Sequence, residues 1–397
     1  MGASKAQFVR KISTEIGCSG PITFARFMEL ALYDQEFGYY MTGGMQGLLN
    51  NRNSSQIGWD GDFFTAPCLH PILAKALVRQ ICEIDELLGR PEVFTVLEMG
   101  AGEGLLARDV LAECAATDED LFGRLAYLLV ERSPVMRDRQ RHHLTPWINK
   151  GASISWTQSL DLLWDGSVTG IVVSNELVDA FPVHRVRIEH GVLKEVFVVL
   201  EGDRFVEEVS DPSTPALEEF LKALEVRLSE GFSTEISLQA VEWMKNVGRV
   251  LGKGVVMTID YGHTTQDYFA PSRKDGTLLC YYRHTLSQNP YERVGLQDIT
   301  AHVNFSSLAQ AGEESNLCVT GFTNLMNFLL GIGVEEMVEG LDPESDVVRS
   351  AAQLLKPGGM GGTFKILFQH KGMERPMLRG LQYHPFFEGV LMDVGPA

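Results

Sequence analysis

Long hydrophobic runs are missing from this chain of 397 residues. A membrane-spanning helix needs about 20 consecutive apolar residues. The greasiest stretch, residues 325–334 (LMNFLLGIGV), is half that length and carries Asn327, so membrane insertion is not expected. Basic charge is scarce as well, with 34 Lys and Arg against 52 Asp and Glu, a net charge of −18. Phosphate backbones would be repelled, which argues against a general nucleic-acid binder. An acidic surface suits a basic acceptor, and it also serves solubility alone. Cysteines are few and scattered: Cys18, Cys68, Cys82, Cys114, Cys280 and Cys318, with no C-x-x-C pair. That spacing fits neither a metal site nor a disulfide framework, so reduced and mostly buried thiols are expected. The start, MGASKAQFVRKI, has no apolar core of a signal peptide, and patterned sequence begins by about residue 20, which leaves little room for a transit peptide. A cytoplasmic, bacterial-type protein is expected.

What is present is ordinary for a globular protein, 45% hydrophobic and 22% charged. The length allows one large domain, or a core with an inserted subdomain. The first 90 residues read as helices and loops. Residues 24–32 (FARFMELAL) are apolar at helical spacing, an aromatic loop follows at Phe37-Gly38-Tyr39-Tyr40, and 43–62 is rich in Gly, Asn and Ser, as a movable lid would be. Residues 71–88 form an amphipathic helix.

From residue 93 short apolar runs alternate with helices. Buried strands are expected at 94–98, 126–131, 170–174 and 254–260, with a last one at 362–370. Such runs imply a parallel sheet covered on both faces, hence a doubly wound, Rossmann-like α/β fold. Residues 183–208 alternate in three pieces separated by His190-Gly191 and Gly202-Asp203, the signature of a meander. Helical sequence follows to about 250, and a loop-rich insertion carrying Tyr281, Tyr282 and His284 spans 261–308. The expected domains are therefore an N-terminal helical or lid region (1–90), a core (91–182 and 251–397) and an inserted α+β substrate subdomain (183–250).

Residues 96–104, VLEMGAGEG, read as a strand, an acidic residue, three spaced glycines and a helix start. Gly100, Gly102 and Gly104 permit a tight turn and close approach of a ligand, and the helix N-terminus offers free N–H groups. Nicotinamide and flavin domains use a related turn, but with G-x-G-x-x-G spacing. Glu98 at the strand end would repel a pyrophosphate, whereas it can pair with the ammonium of an amino-acid-like ligand. S-adenosyl-L-methionine has that ammonium and no phosphate, so it is the expected cofactor. Glu131 ends the next strand, where an acidic residue accepts hydrogen bonds from ribose hydroxyls.

The strand at 170–174 runs into SNELVDAFPVHR, which sets Asn175, Glu176 and Asp179 where an acceptor would meet the donor. Two carboxylates so close can grip a guanidinium in a bidentate manner, although a capping Asn with first-turn acids looks the same. The strand at 254–260 leads into Tyr261-Gly262-His263, and His263 is a candidate general base or an ordinary loop histidine. Thr65 and Pro67, in GDFFTAP (61–67), are candidates for a turn flanking the cofactor. No metal site is expected.

Eight segments in order make the chain resemble the MidA family of methyltransferase-like proteins: PITFARFMELALYDQEFGYY, GDFFTAP, LEMGAGEG, SNELVDAFPVHR, IDYGH, GTLLCYYRH, LQDITAHVNF and FKILFQHKG. The resemblance implies a seven-strand class I methyltransferase sheet with an extra substrate-covering region. It also implies symmetric dimethylation of an arginine in a protein client, of the type of a respiratory complex I subunit. By motif, Gly100, Gly102 and Glu131 would hold the donor, while Asn175, Glu176 and Asp179 would face the acceptor. The chain departs from the mitochondrial pattern at Cys68-Leu69-His70 and at Asn324, where glutamine is expected. Both departures bear on the identity of the client.

Two other readings stay open: a small-molecule O- or N-methyltransferase with His263 as base, and an assembly factor that binds the donor without turnover. The aromatic residues at 37–40 and 281–282 would suit a flat small molecule. Client and oligomeric state are not written in the sequence, a homodimer being one open arrangement.

Overall fold

The computed structural model describes residues 2–42, 71–283, 285–356 and 358–383. They fall into two compact units. The core unit is built from 71–177, Trp243–Thr264 and 308–383, and the second unit from 2–42, Val178–Glu242 and Thr265–Ser307.

Seven strands run through the core unit: β1 (Phe94–Met99), β2 (Leu125–Val130), β3 (Ser153–Thr157), β4 (Val168–Asn175), β5 (Leu251–His263), β6 (Cys318–Asn324) and β7 (Phe364–Lys371). Their order is β6-β7-β5-β4-β1-β2-β3. Pairings from β5 through β3 are parallel, and β7 runs antiparallel to both β5 and β6. The strand order reverses beside β1, which is where open α/β sheets place their ligands. Middle strands are aliphatic because both faces are covered; Ile171, Val172 and Val173 of β4 are at most 1% exposed. Helix α1 (Pro71–Leu87) lays Ile72, Ala76, Leu77, Ile81 and Ile84 into the same core as Val96, Ile171, Met257 and Ile366. Helices α2 (Leu105–Thr117) and α3 (Pro134–Asn149) follow β1 and β2.

The five expected strands are present with ends shifted by a few residues, and the sheet is the expected doubly wound one. Two further strands, β3 and β6, carry no clear signal. SISWT lies half-exposed at one edge, and CVTGFTN is bulged between Val319 and Gly321. Asn324 has a local task. It caps the helix Leu325–Gly331, its Oδ1 accepting the Asn327 N–H at 2.8 Å, which explains an asparagine at this position.

In the second unit the meander forms as read, at His184–Glu189, Val192–Glu201 and Arg204–Ser210. Ile22–Thr23 pairs with Val192–Glu201, and Ser233–Ile236 pairs with His184–Glu189. That last strand interrupts the stretch expected to be helical, leaving Ala216–Ala223 and Leu238–Val250 as its helices. The expected N-terminal region and inserted subdomain thus share one sheet, because Ile22–Thr23 hydrogen-bonds into the insertion. The unit boundaries fall at Leu177, Glu242, Thr264 and Ser307 rather than at 182 and 250. The aromatic loop is part of this unit's packing. Tyr39 is fully buried, Phe37 stacks on Phe8 at 5.2 Å, and Tyr40 stacks on Tyr33 and bonds Asp298 Oδ1 at 2.8 Å.

Among the described residues no helix is long and apolar enough to cross a membrane. Cys114 and Cys280 are buried, but Cys18 and Cys318 are exposed, so the expectation of mostly buried thiols fails at those two positions.

Candidate functional site

At the carboxyl end of β1 the chain turns through Gly100, Gly102 and Gly104, all with positive φ (68°, 51° and 81°). A side chain at Gly100 would meet Leu177 Cδ1 at 2.8 Å, and one at Gly104 would meet Gln140 Cγ at 3.2 Å. The positive φ favours glycine at both sites, and a Cβ would in addition displace the end of the Leu177 side chain or press on Gln140. Gly104 starts α2 with no side-chain cap, so the first amides of a 13-residue helix face the turn.

Glu98 is the penultimate residue of β1 and is only 3% exposed. Its Oε2 accepts the Tyr127 hydroxyl at 2.6 Å. Burial pushes its carboxyl up to about 7; the tyrosine bond opposes that shift and the nearby Glu131 adds to it. Glu131 is half-buried just beyond β2. Its Oε1 accepts the Ser133 N–H at 2.8 Å and its Oε2 the Gln140 amide at 3.1 Å. Desolvation raises its pKa against those bonds. The turn thus has two carboxyls beside it, a surrounding that favours an ammonium and a diol over a phosphate.

Helix α3 fastens this arrangement. Gln140 Nε2 also donates to Gly102 O at 2.8 Å, Arg139 pairs with Glu103 at 2.9 Å, and His143 Nδ1 bonds Glu103 O at 2.8 Å. None of these α3 residues stands out in the sequence, and no spacing rule would have flagged them.

Next to β1, β4 ends in Asn175, whose Nδ2 donates to Glu176 Oε1 at 3.2 Å. Asn175 Oδ1 is buried and, among the described residues, accepts no hydrogen bond. Glu176 is half-buried with φ 51°, a left-handed conformation uncommon for a residue with a side chain. Two bonds hold it there: Glu176 N–H to Ile259 O at 3.0 Å, and Leu177 N–H to Asp260 Oδ2 at 3.2 Å. Asp260, fully buried near the end of β5, also accepts the Tyr261 N–H at 2.9 Å. His263 is the half-buried last residue of β5.

The core unit therefore gathers Glu98, Gly100, Gly102, Gly104, Glu131, Asn175, Glu176 and His263 at the carboxyl ends of its parallel strands. Asp179 belongs to the second unit. It sits in a short 3-10 turn, 5% exposed, and its carbonyl accepts the Ala301 N–H at 2.9 Å. Thr65, Pro67, residues 43–62, Cys68-Leu69-His70 and His284 lie outside the described residues.

A sequence model of the S-adenosyl-L-methionine-dependent methyltransferase family matches residues 76–323, more than half of the chain. The chain belongs to that family. S-adenosyl-L-methionine is accordingly the methyl donor of this methyltransferase, and the resemblance to the MidA family read from its motifs holds. A Burkholderia thailandensis protein crystallised with S-adenosyl-homocysteine is similar over 95% of both chains, at 30% identity and a TM-score of 0.84. Among curated proteins, the mitochondrial protein arginine methyltransferase NDUFAF7 homolog of Drosophila melanogaster is 25% identical over 92% of this chain and 85% of its own length. The Homo sapiens protein arginine methyltransferase NDUFAF7 is 26% identical over 88% of this chain and 78% of its own.

Proposed function

We propose that this methyltransferase methylates arginine in a protein client, adding two methyl groups symmetrically, and that it does so in the cytoplasm. The observation that carries the reading is Glu176, a carboxylate held in a left-handed turn at the end of the strand next to the donor turn. Its support comes from the relatives named protein arginine methyltransferases, which match over most of the chain.

In this reading Gly100, Gly102 and the uncapped start of α2 receive the donor's backbone-like portion, Glu98 its ammonium and Glu131 its ribose hydroxyls. When bound, the donor supplies a methyl group on a sulfonium, open to in-line attack. The chain's part is then positioning. A free arginine keeps its proton at neutral pH. Glu176 takes the guanidinium's N–H groups, turns one nitrogen toward the donor and accepts the proton that this nitrogen gives up as the methyl group passes to it from sulfur, while the Asn175 amide fixes the Glu176 carboxylate. The acidic balance of the chain favours a basic segment of the client. Because Asp179 lies in the second unit, the reading rests on Glu176. A respiratory complex subunit is the client class that the named relatives suggest, and a homodimer is compatible with the reading.

Incubating the purified protein with isotope-labelled donor and lysate of a strain lacking it, followed by mass spectrometry, tests the proposal. Label on dimethylated arginine is the expected result. Label on metabolites alone points to the small-molecule reading, and no transfer at all to a donor-binding assembly factor.

A further inference from the structure

The donor site contains a polar side chain that neither its family membership nor its motifs explain. Gln140 is fully buried in the first half of α3, and two of its three bonds end on Gly102 of the donor turn and on Glu131. Its Nε2 donates to Gly102 O at 2.8 Å and to Glu131 Oε2 at 3.1 Å, while its Oε1 accepts the Trp156 indole N–H at 3.0 Å. The orientation of the amide is not arbitrary. An indole nitrogen can only donate, so the amide oxygen must face Trp156. Both N–H groups are then directed at the turn and at the carboxylate. An ionised glutamate has no donors, and an aliphatic residue would remove the acceptor of the indole N–H and leave Glu131 held through Oε1 alone.

We infer that Gln140 is a positioning residue for the methyl donor, locking the glycine turn and the Glu131 carboxylate into one arrangement through an orientation set by Trp156. The inference rests on the reading that Glu131 receives the donor's ribose. With Oε1 of Glu131 held by Ser133 and Oε2 by Gln140, the carboxylate plane is fixed, and its remaining lone pairs are presented to a diol. The same amide sets the height of Gly102 in the turn, so ribose recognition and the approach of the donor's backbone-like portion are coupled through one side chain. Neighbouring contacts point the same way: Arg137 Nη1 donates to Glu131 O at 2.8 Å, and Arg139 and His143 hold Glu103.

The test compares two ligands on full-length protein. Wild type, Gln140→Leu and Trp156→Phe are titrated calorimetrically with S-adenosylhomocysteine and with its 2′,3′-dideoxy analogue. Wild type should lose affinity when the hydroxyls are absent. Gln140→Leu should bind S-adenosylhomocysteine about 10- to 100-fold more weakly, the worth of a hydrogen bond to a charged group. It should also lose most of the wild-type preference for the hydroxylated ligand. Trp156→Phe keeps the amide but frees it to flip, and should show a smaller loss of the same selective kind; it decides the question if Gln140→Leu does not fold. Equal weakening toward both ligands, or no weakening, overturns the inference, because a merely structural glutamine would leave the ratio untouched. A wild type indifferent to the hydroxyls contradicts the Glu131 reading itself and takes the inference with it.

Discussion

Asp260 and Leu177 are joined across the carboxyl ends of β5 and β4, the buried carboxylate accepting the Leu177 N–H at 3.2 Å, immediately after the left-handed Glu176. A second backbone N–H, that of Tyr261, ends on the other oxygen of the same carboxylate. Asp260→Ala removes acceptors from both amides at once. A buried donor left unpaired costs about 1–3 kcal/mol, so the variant, which strands two, should lose about 2–6 kcal/mol. Asp260→Asn, which keeps one acceptor oxygen, should lose about half as much. Urea denaturation with an unchanged slope would show this as a lower midpoint, and an Asp260→Ala midpoint equal to that of wild type would refute it.

Glu98 gives the molecule a pH signature. Its carboxyl is pushed up to about 7 in the folded chain from an ordinary value near 4.5, chiefly by burial. The folded state therefore holds this proton more tightly than the unfolded chain. The contribution is fully present below about pH 4.5 and is lost as pH rises through about 7, a swing of about 3 kcal/mol. Glu98→Gln, which cannot ionise, should flatten that part of the stability profile. The donor's ammonium prefers the ionised carboxylate, so donor affinity should rise between about pH 5.5 and 7.5 in wild type and stay level in Glu98→Gln. A wild-type affinity that is flat or falls over that range contradicts the ammonium pairing.

Gly100→Ala separates two demands on one glycine. Alanine at φ 68° costs about 1–2 kcal/mol whatever the space, and its Cβ meets Leu177 Cδ1 at 2.8 Å. Adding Leu177→Ala should relieve the collision but not the backbone penalty. The double variant should therefore recover part of the donor affinity lost by Gly100→Ala, as titration calorimetry would register. Complete recovery would mean that the left-handed turn carries no cost, and no recovery that the collision carries none.

Much of the fold was legible because its signals are local. Aliphatic runs such as IVV at 171–173 are buried on both faces and could hardly be anything else, and the meander is punctuated by His190-Gly191 and Gly202-Asp203. The missed strands fail for physical reasons. Ser153–Thr157 pairs on one side only and stays half wet, so it need not be apolar, and the bulge in Cys318–Asn324 breaks its alternation. In the site, the acid–glycine–helix pattern fits within nine residues and could be read. The contacts of Gln140 with Gly102 and of Asp260 with Leu177 join residues 38 and 83 positions apart, and no local pattern carries them. The aromatic residues at 37–40, open to a ligand-binding reading, go largely to the packing of the second unit.

Arginine as the acceptor is tested most directly by rates of methyl transfer to a verified client, measured side by side on wild type, Glu176→Gln and His263→Ala, with donor affinity determined for each. Losing one well-placed charged contact in the transition state costs about 2–4 kcal/mol, or roughly 30- to 1,000-fold in rate. Glu176→Gln should fall by that factor in kcat with its donor Kd nearly unchanged, and His263→Ala should stay close to wild type. A His263→Ala enzyme that loses activity while Glu176→Gln keeps it would contradict the arginine reading and assign the chemistry to a general base acting on another acceptor.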